Sequence, residues 1–598
     1  MKFRRTLTLV ALTATALATI SAAPAQARSR ESGKVPVAVG FGGAVATVDP
    51  EATRVGVDVL RRGGNAVDAA VAAAATLGVT EPFSSGIGGG GFFVFYNARD
   101  GRVRTIDGRE AAPMSMQSDA FLNPATGAPY AFQEARVSGI SAGVPGSLAT
   151  WEEALRRWGT TSLRDALQPA TQVAERGFLV DATFRTQISD NTAAFGQFGP
   201  TSALYLPGGQ PPEVGTLFRN HDLAMTYGLI AREGTDAFYK GAIAEDIVQT
   251  VQHPPLAAAP IGTWPFPIRP GTMQLTDLSG YDVRFPAPTA IGYRGLDVFG
   301  MATPSSGGQA VGEALNILER GNLAAMTRTQ ALHYYLEASA LAFADRNRYV
   351  GDLTPRALLD EMLTDGFAGE RACQIDPAHA LVKPVPPGVP DGSYGGCATG
   401  AAGEPSLSGM STTNLTVADR WGNVVEYTLT IEQTGGNAMV VPRRGFLLNN
   451  EMTDFNFTPT QGTAPDPNMP APGKRPRSSM SPTIVLKDGK PFLAVGSPGG
   501  STIITTVLQM LVNRIDLGMT LPETLAAPRA TQRNTAAVQA EPGFDADRPG
   551  LEALGHVFAP NPEIGAATGI EFLPDGRLLA AAEPVRRGGG AAGVVIPA

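Results

Sequence analysis

Thr412-Thr413-Asn414-Leu415-Thr416-Val417-Ala418-Asp419-Arg420-Trp421-Gly422-Asn423 sets a threonine pair directly before an apolar β-type run and closes that run with an Asp-x-x-Gly-Asn turn. A threonine hydroxyl in mid-chain is a poor nucleophile unless a base stands beside it. A threonine at a new N-terminus carries its own base, the α-amine. That amine titrates at about 7.7–8.0 in model peptides, so a useful fraction is free at neutral pH. The stretch therefore asks whether the chain is cut at Ser411–Thr412.

Outward from this point the texture of the chain changes. Residues 374–410 are rich in Pro, Gly and Ser and form the clearest break. Beyond it, strands are expected at Leu415–Asp419, Val424–Thr430, Phe446–Leu448, Thr483–Lys487 and Phe492–Val495, then a helix from about Ile503 to Arg514. Before it, helices are expected from Asp49 to Ala75 with a break at Gly63-Gly64-Asn65, and at Leu148–Trp158 and Leu163–Arg176. Helical patterns also fill 221–252 and 308–350. Strands are expected at Phe92–Tyr96 and Val103–Asp107. Helices with scattered strands, followed by strands, indicate an α+β or layered fold rather than a parallel βαβ repeat.

The 598 residues are 43% hydrophobic and carry a net charge of −8, enough for a large core and adverse to nucleic acid. Lys2, Arg4 and Arg5 precede an apolar run, Leu7–Ile20, and Ala25-Gln26-Ala27 fits a signal-peptidase site. Residues 1–27 are therefore expected to be a secretory leader, and no later stretch is apolar enough to span a bilayer. In an oxidising compartment Cys373 and Cys397, which bracket a Pro/Gly-rich loop, are permitted to form a disulfide. The alternative is two free thiols. Five histidines, none paired at i+4 and none near the cysteines, make a metal site unexpected. Gly86–Gly91 matches a dinucleotide-loop pattern but is followed by a strand, not a helix. Gly139-Ile-Ser-Ala-Gly143 matches a serine-hydrolase elbow without the hydrophobic strand that must feed it, which leaves a Ser141 esterase as a rival.

Several segments together resemble the γ-glutamyltranspeptidase family of N-terminal-nucleophile hydrolases. They are Leu60-Arg-Arg-Gly-Gly-Asn-Ala-Val-Asp68, Gly88–Phe92, Asp107-Gly-Arg-Glu110, Pro304-Ser-Ser-Gly-Gly308, Ala344-Asp-Arg346, Thr412-Thr413 with Gly422-Asn423, Leu447-Leu-Asn-Asn450, Lys474-Arg-Pro-Arg-Ser-Ser-Met-Ser-Pro-Thr483 and Gly496-Ser-Pro-Gly-Gly-Ser501. The resemblance implies a four-layer αββα sandwich, self-cleavage and γ-glutamyl transfer or hydrolysis. It implies Thr412 as nucleophile, Thr430 as the hydroxyl supporting it, and Gly499 and Gly500 as an oxyanion hole at a helix start. Arg109, Ser478 and Ser479 match the donor α-carboxylate clamp. Glu451 and Asp454 match the acids on the α-ammonium. The otherwise common reading of Arg109 is a surface ion pair with Glu110 or Asp107, and of the two acids a solvated turn.

Three departures stand out. Glu432 replaces the Asn frequent in the α-amino pocket, Asn414 replaces a frequent His, and the segment Asn456–Arg477 is read as having no aromatic lid. The expected organisation is a leader (1–27), a large subunit (28–411) and a small subunit (412–598) forming one intertwined domain. No cofactor is expected. The expected partners are γ-glutamyl donors such as glutathione, amino-acid or peptide acceptors, and the second subunit. The rivals are an acylase acting on glutaryl or cephalosporin side chains and an unprocessed, inactive surface-binding homologue.

Overall fold

A computed structural model describes residues 33–397, 399–400 and 411–598; the expected leader lies outside the described residues. Twelve strands form the main sheet system: β1 (Val37–Thr47), β2 (Gly90–Asn97), β3 (Arg102–Gly108), β4 (Thr289–Tyr293), β5 (Leu296–Gly300), β6 (Thr413–Asp419), β7 (Val424–Thr430), β8 (Thr483–Lys487), β9 (Lys490–Gly496), β10 (Thr568–Phe572), β11 (Leu578–Ala582) and β12 (Ala591–Pro597). Their order is β3-β2-β7-β6-β1-β11-β10-β9-β8-β5-β4, with β12 also on β1. All pairings within it are antiparallel.

Strand β1 joins two sheets. Its first half, Val37–Gly40, pairs with β11, and its second half, Gly43–Thr47, pairs with β6. The two halves fold face to face, so that β6 and β7 lie against β9 and β6 also against β10. Helices α1 (Pro50–Arg61), α2 (Ala66–Thr80) and α3 (Ser147–Trp158) cover the first sheet. Helices α4 (Gly307–Glu319), α5 (Arg328–Tyr349), α6 (Thr502–Ile515) and α7 (Leu521–Ala526) form the layer outside the second. The result is the expected four-layer αββα sandwich.

The local chemistry explains the layers. Helix α2 is buried along its whole length, and its run of alanines keeps it slim enough to lie directly on β6 and β7. Its start is held by a reciprocal cap between Asn65 and Asp68, worth about 1 kcal/mol. Along β6 and β7 the side chains alternate. Leu415, Val417, Val425, Tyr427 and Leu429 enter the core beneath α2 and α3. The intervening Asn414, Thr416, Glu426 and Thr428 share the opposite face, toward the second sheet, where they bind one another and Thr568. Thr412 and Thr430 continue that second register to the end of the sandwich.

One detail differs from expectation. Phe446–Leu448 is not a strand: a tight turn with positive φ at Arg443 and Gly445 leaves only an isolated bridge, Val440 to Leu447. The helical patterns expected over 221–252 form three helices, His221–Glu233, Asp236–Tyr239 and Ala242–Gln252. Cys373 and Cys397 are disulfide-bonded, with Cα atoms 5.9 Å apart. Among the described residues no helix is long and apolar enough to cross a membrane.

Candidate active site

The chain enters β6 through Ser411 and Thr412, both buried. The Thr412 hydroxyl lies on the carbonyl oxygen of Ser411, and Thr430 at the end of β7 donates to the same oxygen at 3.1 Å. Thr430 Oγ1 in turn accepts the Glu432 amide at 2.8 Å, which directs its proton toward Ser411. Ser411 is gripped from behind: its amide donates to Glu432 O at 3.1 Å, and its hydroxyl meets Ser84 at 3.0 Å. Arg587 Nη1 donates to the Thr412 carbonyl at 2.7 Å.

A small cleft opens at this point. Its walls include Arg109, Ser411, Thr412, Thr430, Glu432, Glu451, Asp454, Ser478, Ser479 and Gly500. Every expected catalytic and substrate-binding residue except Gly499 therefore lines one cleft, and Gly499 is Gly500's neighbour. The two glycines have φ of 137° and 57°, a backbone that side chains rarely adopt. They lie between the end of β9 and the first turn of α6.

Arg109 is not a surface ion pair. It is buried at the end of β3; its guanidinium binds Glu451 and, at 2.5 Å, Asp454, and donates to the carbonyls of Pro476 and Arg477. Neighbouring Asp107 pairs with Arg475 at 2.7 Å instead. Glu451 and Asp454 sit in a buried 3₁₀ turn, not a solvated one. Ser479 Oγ accepts from Arg346 Nη2 at 2.8 Å, and Arg346 also donates to Ser306. Ser478 binds that same loop, its carbonyl accepting the Ser306 hydroxyl at 2.6 Å.

The acids are held above the usual carboxylate range. Burial pushes Glu432 up to about 8, with Asp454 adding to the shift and Asn450 opposing it. Burial also raises Glu451 well above its ordinary value and raises Asp454, against the pull of Arg109 on both. Glu432 holds a positive φ of 75°, costly for a side-chain-bearing residue, and Asn450 and Gln433 bind its carboxylate.

Other expectations need correcting. The segment 456–477 does contain an aromatic residue, Phe457, but its ring stacks on Phe121 at 4.3 Å, in a cluster with Met116 and Phe455. Ser141 donates to the carbonyls of Arg136 and Ser138 and has no histidine partner among the described residues, which removes the esterase site. Two histidines do meet: His333 Nδ1 lies 2.8 Å from His556 Nε2, beside Glu337. There Lys383 already binds Glu337, and His333 Nε2 contacts the Asp376 carbonyl, so these groups satisfy one another. Missed in the sequence were Arg587, which lies 175 positions from its contact, and the role of Arg346 behind Ser479, although Ala344-Asp-Arg346 was one of the resembling segments.

The profile of the Gamma-glutamyltranspeptidase family matches residues 52–594. The chain belongs to the γ-glutamyltranspeptidase family. The glutathione hydrolase proenzyme of Bacillus subtilis (strain 168) is 38% identical over 567 residues, covering 93% of this chain and 92% of that protein. The acylase ACY 1 proenzyme of Pseudomonas sp. (strain V22) is 34% identical over 553 residues, covering 91% and 92%. Among solved structures, a cephalosporin acylase from Bacillus halodurans superposes with a TM-score of 0.79 at 27% identity, over 94% of this chain and 97% of that one. As a γ-glutamyltranspeptidase-family chain, this protein is an enzyme of the γ-glutamyltransferase/hydrolase class with the N-terminal-nucleophile hydrolase fold.

Proposed function

We propose that the protein is a secreted precursor that cuts itself at Ser411–Thr412 and then cleaves γ-glutamyl amides such as glutathione, passing the acyl group to water or to an amine. The observation that carries this reading is the Thr412 hydroxyl resting on the Ser411 carbonyl, with a second hydroxyl donor on that oxygen. In the precursor, Thr412 Oγ1 attacks the Ser411 carbonyl carbon while Thr430 stabilises the developing oxyanion. The C–N bond breaks, the proton passes to the Thr412 nitrogen, and water hydrolyses the resulting ester. Ser411 ends as a carboxylate and Thr412 as a free amine.

That amine then serves as base for its own hydroxyl. Thr412 Oγ1 attacks the donor γ-carbonyl, and the glycine pair at the start of α6 is the proposed oxyanion hole. The departing amine takes the proton, and the γ-glutamyl ester on Thr412 is released by water or by an amino acid or peptide. Arg109, Ser478 and Ser479 receive the α-carboxylate; Glu432, Glu451 and Asp454 receive the α-ammonium. The acid-rich wall favours an amine-bearing donor over the acyl groups of the acylase relatives. We read residues 28–411 and 412–598 as the two subunits and residues 1–27 as the leader. A denaturing gel with N-terminal sequencing tests the first step: two chains, one beginning Thr-Thr-Asn-Leu-Thr, are expected, and a single uncut chain contradicts it.

A further inference from the structure

Glu110 follows Arg109 at the end of β3. Its side chain is wholly buried, and neither carboxylate oxygen receives a hydrogen bond from another residue's donor. It meets Glu451, whose Oε2 is equally without a donor. Two carboxyl groups in contact offer only acceptors unless a proton lies between them. The site is also closed around the pair. A Cβ on Gly90 would stand 2.7 Å from Glu110 Oε2, and one on Gly143 would stand 2.9 Å from Glu110 Cβ.

The charges facing the pair come from several elements. Arg109 donates to Glu451 from Nη1 and to Asp454 from Nη2. Glu432 feels the charges of Asp454 and Arg136, and Asp454 those of Arg346 and Arg477. Tyr281 and Tyr427 are close enough for Glu110 to raise both phenols. Four buried carboxyl groups therefore surround one guanidinium that already serves two of them. Burial, opposed by Arg109, pushes Glu110 up to about 7.

We propose that Glu110 determines donor specificity through Glu451: the two hold a proton that the donor's α-ammonium displaces. This rests on the γ-glutamyl reading above. The balance is simple. One ammonium enters, one proton leaves to water, and the pair becomes two carboxylates facing a bound cation. An acyl donor without the amine must leave the proton in place. Glu110 acts as a positioning residue, since Glu451 lines the cleft and Glu110 does not.

The test is calorimetry on the mature enzyme at pH 6 with L-glutamate as probe, in two buffers of different ionisation enthalpy. Wild-type enzyme is expected to release about one proton or more per glutamate bound. Glu110→Gln is expected to release about one fewer, and Glu110→Asp to restore the release. Equal counts in wild type and Glu110→Gln overturn the proposal. So does wild-type binding without proton release, a result that needs no variant to fold. If γ-glutamyl anilide is turned over while that release is missing, only the Glu110 inference fails. Absence of both glutamate binding and turnover sinks the γ-glutamyl reading with it.

Discussion

Thr430 at the end of one strand donates its hydroxyl proton to the carbonyl oxygen of Ser411, the residue that leads into the neighbouring strand, across 3.1 Å. In the proposed self-cleavage, the bond to be cut is polarised by the same side chain that would flank Thr412 afterwards. Thr430→Val keeps the shape and removes the donor. Self-cleavage is expected to slow on the order of 10²-fold, the usual cost of one oxyanion donor. A time course of chain splitting on denaturing gels checks this, and an unchanged rate rules the role out.

Arg109 gives the second prediction. Arg109→Lys keeps the charge but cannot bind Glu451 and Asp454 as a fork while presenting a planar face to a carboxylate. The KM for a γ-glutamyl anilide is expected to rise roughly tenfold or more, about 1.4 kcal/mol of donor binding. Self-cleavage, which involves no donor, should continue. An unchanged KM contradicts the clamp.

The acids around Glu432 give the third. A glutaryl donor lacks the ammonium proposed to meet Glu432, Glu451 and Asp454, and a site built around a polar partner rejects the analogue without it. The kcat/KM for glutaryl anilide is expected to fall below that for γ-glutamyl anilide by at least about 10²-fold. Equal values, or a glutaryl preference, would move the protein to the acylase branch.

Between the sheets, Glu426 tests the fold. Burial raises its carboxyl well above the usual range, while Asn414 and Thr416 oppose the shift. The folded chain keeps it protonated where the unfolded chain ionises it. Stability is therefore lost as pH rises above the unfolded carboxylate value near 4.5. Glu426→Gln mimics the neutral acid, so its Tm relative to wild type should climb between pH 5 and pH 8. A constant difference shows that the carboxyl is ionised in the fold.

Much of this was legible in the sequence, for physical reasons that differ from site to site. The alternation of Leu415 to Asp419 shows a strand because period two survives any context, and it puts Thr412 on the same face as Asn414. The glycines at 499 and 500 are readable because their backbone tolerates little else. Phe446–Leu448 misled because three apolar residues in a buried turn look like a strand; what separates them is the backbone reversal at Arg443 and Gly445. Glu110 read as a mate for Arg109 because adjacency is visible in a sequence and burial is not. Arg587 reaches Thr412 from 175 positions away, and no local pattern announces it.

Intact-mass analysis with N-terminal sequencing, on purified wild type and on Thr412→Ala, tests the central claim most directly. Wild type is expected as two chains, the smaller beginning at Thr412, and Thr412→Ala as one inactive chain. Cleavage of Thr412→Ala at the same bond would contradict the assignment of Thr412 as the nucleophile.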